Sequence, residues 1–227
     1  VVLNCSEGWG KTSLMAHAPN PLMVMVGREV GYRTLRSADR VPDCDVVHVT
    51  TWPDLMALLR DPVLAKYGTV CLDAIGPAYT LLEDHTLQTQ FSGDPHKFGS
   101  YGKGRAACET AWSTFLDAVE SCPADAILAS HVETTSFTNP EGDNYHRYTG
   151  NVPKQVWAMT AQWADAVLFG TFLTHVEEGK GQGGTERVAY TEHRASHDAK
   201  NRYGMPSFIS VPGDPTQSYQ SIFQHVK

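Results

Sequence analysis

The sequence has no apolar run approaching the twenty or so residues that would cross a bilayer, and no signal-peptide pattern. A membrane partner is therefore not expected, and the compartment expected is the cytoplasm. Positive charge is scarce: Lys and Arg number 18 against 25 Asp and Glu, a formal net charge of −7. That balance excludes a broad, permanently basic nucleic-acid surface but leaves room for a local basic channel. Cysteines stand at 5, 44, 71, 108 and 122, an odd number without a C-x-x-C pair. They read as reduced thiols of an intracellular protein, and none has a histidine at zinc-ligand spacing beside it. The sequence also lacks an initial methionine and opens on an apolar strand, so a short N-terminal stretch is expected to be missing or processed.

What is present is the composition of a globular chain, 41% hydrophobic and 19% charged over 227 residues. Such a length can bury a full core, and one domain over residues 1–227 is expected. Strand-like runs occur at Val1–Leu3, Pro21–Val26, Asp45–Thr50, Thr69–Asp73, Ala126–Ser130, Ala164–Thr171, Arg187–Thr191 and Ser207–Val211. Helical spacing appears at Thr12–His17, Pro53–Arg60 and Ala106–Glu120. Alternating strands and helices predict an α/β fold with a mostly parallel central sheet flanked by helices. The last strands have little helix between them, which predicts antiparallel additions at one edge. Thr86–Arg105, Thr135–Gly150 and Glu177–Thr185 are polar or glycine-rich and read as mobile segments.

Residues 5–12 read Cys-Ser-Glu-Gly-Trp-Gly-Lys-Thr, a phosphate-binding loop G-x-x-x-x-G-K-[ST] with Cys5 in the first glycine's place. The chemistry fits the spacing. Gly8 and Gly10 let backbone N–H groups curl around phosphates, Lys11 adds a cation, and Thr12 offers a hydroxyl to Mg²⁺. Ser6, Glu7, Gly8, Trp9, Gly10, Lys11, Thr12 and Ser13 are the candidate nucleotide-binding residues. A side chain at Cys5 tightens the loop's entry because it must avoid positive φ.

Asp73 ends an apolar strand and is placed to hold Mg²⁺ with Thr12, although strands also end in Asp at turns. Glu29 follows another apolar strand and could polarise the water that attacks a γ-phosphate, with Glu7 as its competitor. His131 ends the strand Ala126–Ser130, as a γ-phosphate contact or as a hydrogen-bonded structural histidine. In Lys200-Asn201-Arg202, residues two apart share a face, so Lys200 and Arg202 present paired cations suited to a triphosphate. The pair could serve its own subunit or a neighbour. Aromatics and cations recur in the polar segments: Phe91, Lys97, Phe98, Tyr101, Lys103, Arg105, Phe137, Tyr145, Arg147 and Tyr148. They could stack on bases or anchor loops, and Tyr145, Arg147 and Tyr148 are the candidate DNA contacts.

The phosphate loop, Glu29, Asp73 and Lys200-Asn201-Arg202-Tyr203-Gly204 agree in order and spacing with the RecA-like ATPases over nearly the whole chain. The chain most closely resembles phage-encoded single-domain RecA-like proteins related to single-strand annealing ATPases. The last element looks like the Lys-Asn-Arg-Phe-Gly motif of the RadA branch, with Tyr203 for Phe. The resemblance implies a RecA-like P-loop core that binds and hydrolyses ATP with Mg²⁺. It makes Lys11, Glu29, His131, Lys200 and Arg202 the catalytic set and Thr12 and Asp73 the metal pair. It further implies a ring or filament of identical subunits with shared sites, acting on single-stranded DNA in phage recombination or annealing in the host cytoplasm. A single-strand-binding or other replication protein would be a further partner. The rivals are a nucleotide-dependent assembly or regulatory module with a protein partner, favoured by the negative charge, and a small-molecule phosphotransferase.

Overall fold

In the computed structural model, residues 1–140, 142–177 and 180–226 are described, with side chains outside 175–183. The chain forms β1 (Val2–Cys5), α1 (Lys11–Met15), β2 (Pro21–Val26), α2 (Gly31–Ser37), β3 (Asp45–Val49) and α3 (Trp52–Leu59). Then come β4 (Thr69–Asp73), α4 (Ile75–Gln90), α5 (Pro95–Gly99), α6 (Lys103–Glu120), β5 (Asp125–Phe137), β6 (Tyr145–Gly150) and α7 (Lys154–Trp163). The remainder is β7 (Ala166–Glu177), β8 (Lys180–Tyr190), β9 (Lys200–Asn201), β10 (Phe208–Val211) and α8 (Pro215–Phe223).

One sheet runs in the order β10-β8-β7-β1-β5-β4-β2-β3, with β6 attached to β5 and β9 to β7. The six strands from β7 to β3 are parallel, whereas β8, β10, β6 and β9 add antiparallel. This is the α/β architecture that the alternation of strands and helices predicts. Alternation along each strand divides the core in two. Val2, Val24, Leu72, Leu128 and Val167 face α3, α4, α6 and α7, packing on Trp52, Trp112, Phe115 and Trp157. Leu3, Met23, Cys71, Ile127 and Leu168 face the other way, toward Leu14 and Met15 of α1 and Ile222 of α8. Parallel strands buried on both faces are why these runs read as continuous apolar stretches.

The segments expected to be mobile carry regular structure. Thr86–Arg105 holds the end of α4, all of α5 and the start of α6, where Asp94 caps α5 by accepting from the N–H groups of His96 and Lys97. Within Thr135–Gly150, β5 runs on past the sheet to Phe137 and pairs with β6 as a two-stranded ribbon. The polar composition reflects a ribbon outside the core, not a lack of pairing. In Glu177–Thr185, residues 178 and 179 lie outside the described residues, and β8 begins at Lys180.

The face of β7 and β8 beyond α7 is covered by the chain between β8 and β9. His197 lies there at 2% exposure, stacked on Phe169 at 4.3 Å and against Tyr190 at 4.9 Å. Burial first, then Arg194 and His193, lowers its pKa to about 4. The folded state therefore keeps this imidazole neutral while the unfolded chain protonates it below about 6.5. Stability should fall as pH drops from that value toward 4. His197→Phe should flatten the acid limb, so the melting temperature at pH 5 approaches that at pH 7.5 more closely than in the wild type.

Candidate functional site

Strand order reverses beside β1: α1 carries the chain past β5 and β4 to β2, whereas β7 later joins the opposite side. The crevice at the carboxyl ends of such strands is where open α/β sheets hold ligands. The phosphate loop leaves β1 at this point. Ser6 N–H donates to Gly170 O at 2.8 Å and Trp9 N–H to Ser6 O at 3.3 Å, closing the curl. Gly8 and Gly10 take φ of 71° and 104°, which an L side chain resists. Cys5 belongs to β1 and is paired on both sides, with His131 and Gly170, so the position needs no glycine. Burial pushes its thiol up to about 12, and it is a packing group.

Trp9 turns its side chain into the core. Its ring is fully buried, and its indole N–H donates to Val188 O at 3.1 Å. Only its backbone remains to face a ligand. Ser6 Oγ donates to Thr171 at 3.2 Å, Ser13 is half-buried in α1, and Glu7 is exposed. Lys11 is 7% exposed, its ammonium donating to Cys5 O at 3.1 Å.

Around this loop, side chains from four elements converge. Thr12 Oγ1 donates to Asp73 Oδ2 at 2.6 Å, uniting α1 with the end of β4. Glu29, in the turn after β2, places Oε1 3.3 Å from His131 Nε2. One ligand atom from each of Glu29, Asp73 and His131 lies within 4.8 Å of the others, a set that would suit a divalent cation. The Thr12 hydroxyl and Asp73 carboxylate are hard oxygen donors of the kind Mg²⁺ takes. Desolvation by burial raises the Asp73 pKa and Glu29 adds to it, against the Thr12 hydrogen bond, Lys11 and His131. A cation would relieve that penalty.

Lys200 and Arg202 are not part of this cluster. Lys200 pairs with Val167 and the Arg202 N–H donates to Asp165 O, at the amino end of β7, whereas the loop lies beside Gly170. Three residues of strand separate them, about 10 Å. Lys200 donates to Ala161 O and Gln162 O at the end of α7, and Arg202 pairs with Asp165 at 2.8 Å. They stand away from their own chain's phosphate loop.

The candidate DNA contacts are largely engaged within the chain. Arg147 is ion-paired with Asp198, which also accepts from Trp157 Nε1 at 2.9 Å. Tyr145 packs on Phe137 at 5.1 Å and Tyr148 on Phe169 at 5.2 Å, leaving Tyr148 partly exposed. Alternation on a ribbon does not reveal which face a distant segment covers. Phe137, Arg147, Trp157 and Asp198, with Gly76 and Glu83 of α4 and Glu133, border a cleft of about 860 Å³, which Tyr145 and Tyr148 do not line. One functional neighbour that sequence reading missed is Arg187. Its guanidinium donates to Trp9 O at 2.7 Å from β8, a contact nothing in local sequence announces.

A family model described as an AAA domain matches residues 1–203. No curated protein matches the sequence. Among solved structures, the flagellar accessory protein FlaH from Methanocaldococcus jannaschii is similar at 10% identity and a TM-score of 0.45, over 92% of this chain and 83% of that one. The family match spans the loop, the acidic cluster and the Lys200 element alike, and the chain belongs to the AAA-domain family of ATPases.

Proposed function

We propose that residues 1–227 act as one RecA-like domain that binds Mg·ATP, hydrolyses it, and couples the cycle to single-stranded DNA in phage recombination or annealing. The convergence of Thr12, Asp73, Glu29 and His131 beside Lys11 carries the ATPase reading. Lys11 would leave the Cys5 carbonyl to neutralise charge spreading over the phosphoryl oxygens. Glu29 would accept the proton of the attacking water, and His131 would hold Glu29 until a γ-phosphate draws its ring away. Thr12 and Asp73 would hold Mg²⁺, which neutralises phosphate charge when bound.

Lys200 and Arg202 sit at the amino edge, opposite the loop, which favours their service to a neighbouring subunit in a ring or filament. Arg202 is more than half exposed, so its pair with Asp165 is readily exchanged.

Among the aromatic and cationic segments, the one between α5 and α6 best supports the DNA part. Tyr101, between α5 and α6, is 98% exposed at φ 52°, with Lys97 and Lys103 exposed beside it in sequence. An unsheltered ring among cations suits a base and its phosphate. A second reading, an assembly module with a protein partner, is favoured by the cleft. Its Arg147 is neutralised by Asp198 and its border carries Glu83 and Glu133, which oppose a polyanion.

ATP hydrolysis with and without single-stranded DNA, using Lys11→Ala as the blank, separates the two. Stimulation by DNA is expected, and Tyr101→Ala should weaken strand binding by about 1–3 kcal/mol. Turnover indifferent to DNA would leave the assembly reading. Arg202→Ala should bind ATP without turnover, and mixing it with Lys11→Ala should restore part of the activity. Persistent inactivity of the mixture would remove the shared site.

Asp73 supplies a test of a different kind. Its raised pKa means that the folded state holds the proton more firmly than the unfolded chain. Its favourable contribution is therefore present below the ordinary carboxylate pKa of about 3.9 and lost as pH rises through the folded value. Without metal or nucleotide, Asp73→Asn should melt higher than wild type at pH 8. The difference should vanish near pH 3.5, and hydrolysis should be lost.

A further inference from the structure

Arg187 joins three parts of the molecule. Nη1 donates to Trp9 O at 2.7 Å, and Nη2 donates to Ser218 Oγ at 2.9 Å and to Pro212 O. The guanidinium also lies 5.9 Å from the centre of the Trp9 ring. Ser218 is fully buried in α8, and its single hydroxyl proton is shared between Pro212 O at 2.7 Å and Asp214 O at 2.8 Å. Among the described residues no carboxylate pairs with Arg187. A half-buried side chain that stays protonated is thus held by neutral oxygens, one of them in the phosphate loop.

The contact with Trp9 has a directional consequence. Asp73–Ala74 is the only cis peptide among the described residues, so the Trp9–Gly10 peptide is trans. In a planar trans peptide the C=O and the following N–H point in opposite directions. Fixing the Trp9 carbonyl on Arg187 turns the Gly10 N–H away from β8. Gly10 itself is shaped by the same cation: a Cβ there would lie 2.6 Å from Arg187 Nη1, and its φ is 104°. The second glycine of the motif is required here by its φ, and a side chain there would also displace the Arg187 guanidinium.

We propose that Arg187 is a positioning residue for the phosphate loop: by holding the Trp9 carbonyl it aims the Gly10 N–H at the nucleotide's phosphates, while its bond to Ser218 ties α8 to the sheet and contributes stability, not affinity. This rests on the nucleotide reading above. Lys11 and Thr12 meet the nucleotide, whereas Arg187 acts through the backbone of Trp9 and Gly10.

The test compares Arg187→Met, Arg187→Lys and Ser218→Ala with the wild type for binding of Mg·ADP and Mg·ATP, for kcat and KM, and for melting temperature. Arg187→Met keeps the length and removes every donor. Its Kd for both nucleotides should rise about ten- to a hundredfold, the worth of one hydrogen bond to a charged group. KM should rise in step while kcat changes by less than about threefold, a small effect on the activation barrier. Arg187→Lys, with one donor in reach, should recover part of the affinity. Ser218→Ala breaks the tie to α8 but leaves the Trp9 bond. It should lower the melting temperature while keeping affinity within about twofold, under half a kcal/mol.

Wild-type affinity in Arg187→Met would overturn the proposal. So would a loss in Ser218→Ala as large as that in Arg187→Met, since general packing would then account for both. If Arg187→Met does not fold, Arg187→Lys decides: affinity below wild type supports the proposal, and unchanged affinity overturns it. A wild type that binds neither nucleotide overturns the nucleotide reading instead, so the two failures are told apart.

Discussion

The packing of one indole ring organises the rest of this site. Trp9 belongs to the phosphate loop by sequence and to the hydrophobic core by position, in the space that Gly170 leaves open. A Cβ at Gly170 would come within 2.5 Å of Cys5 Sγ and 2.7 Å of the Trp9 ring. The absent side chain on β7 thus admits the ring, and the ring fixes the loop that precedes α1. Trp9 also reaches β8 through its indole N–H, so the loop is anchored to the antiparallel half of the sheet as well as to the parallel half. A loop that must curl tightly around phosphates loses chain entropy when it orders. Anchoring it through a buried aromatic moves that cost into folding, before any ligand arrives.

Electrostatics at the carboxyl edge pull against this rigid base. Asp73 and Glu29 are brought close to one another, and Thr12 and His131 supply the compensating hydrogen bonds. Such an arrangement is costly to an isolated fold and useful to a site that receives Mg²⁺ and a phosphate chain. It is a local conflict between stability and function in an otherwise well-packed core.

How much of this was legible in the sequence depended on where each residue lies relative to its own strand. Asp73, Glu29 and His131 each follow an apolar run, and a parallel sheet brings the ends of such runs to one edge, where the three side chains meet. Ile75–Gln90 escaped detection because Gly76-Pro77 reads as a turn and only one side of that helix is buried. Arg147 and Tyr148 are held by residues 196–198, some fifty positions on, a pairing that local sequence does not announce. Arg187 gave no signal at all: its register against Trp9 is set by the pairing of β7 with β8, and nothing near residue 187 encodes it. Cys5 looked like a defect in a motif and is instead an ordinary strand residue. Short-range pattern identified the chemistry, and long-range pairing decided which side chains were free to perform it.

The position of β1 in the sheet has a consequence for how the molecule is made. Val2 pairs with Leu128 on one side and Val167 on the other, so the strand bearing the phosphate loop lies between partners well over a hundred residues away. Contacts of such sequence separation form late, because the chain entropy they consume must be lost before they return anything. A nascent chain can assemble β2, β3 and β4 among themselves, yet β1 has no neighbour until β5 is made and no second wall until β7 emerges. The loop is synthesised early and enclosed late. Truncated or half-made chains therefore lack a formed phosphate cradle, and nucleotide binding becomes a report that the sheet has closed around its central strand.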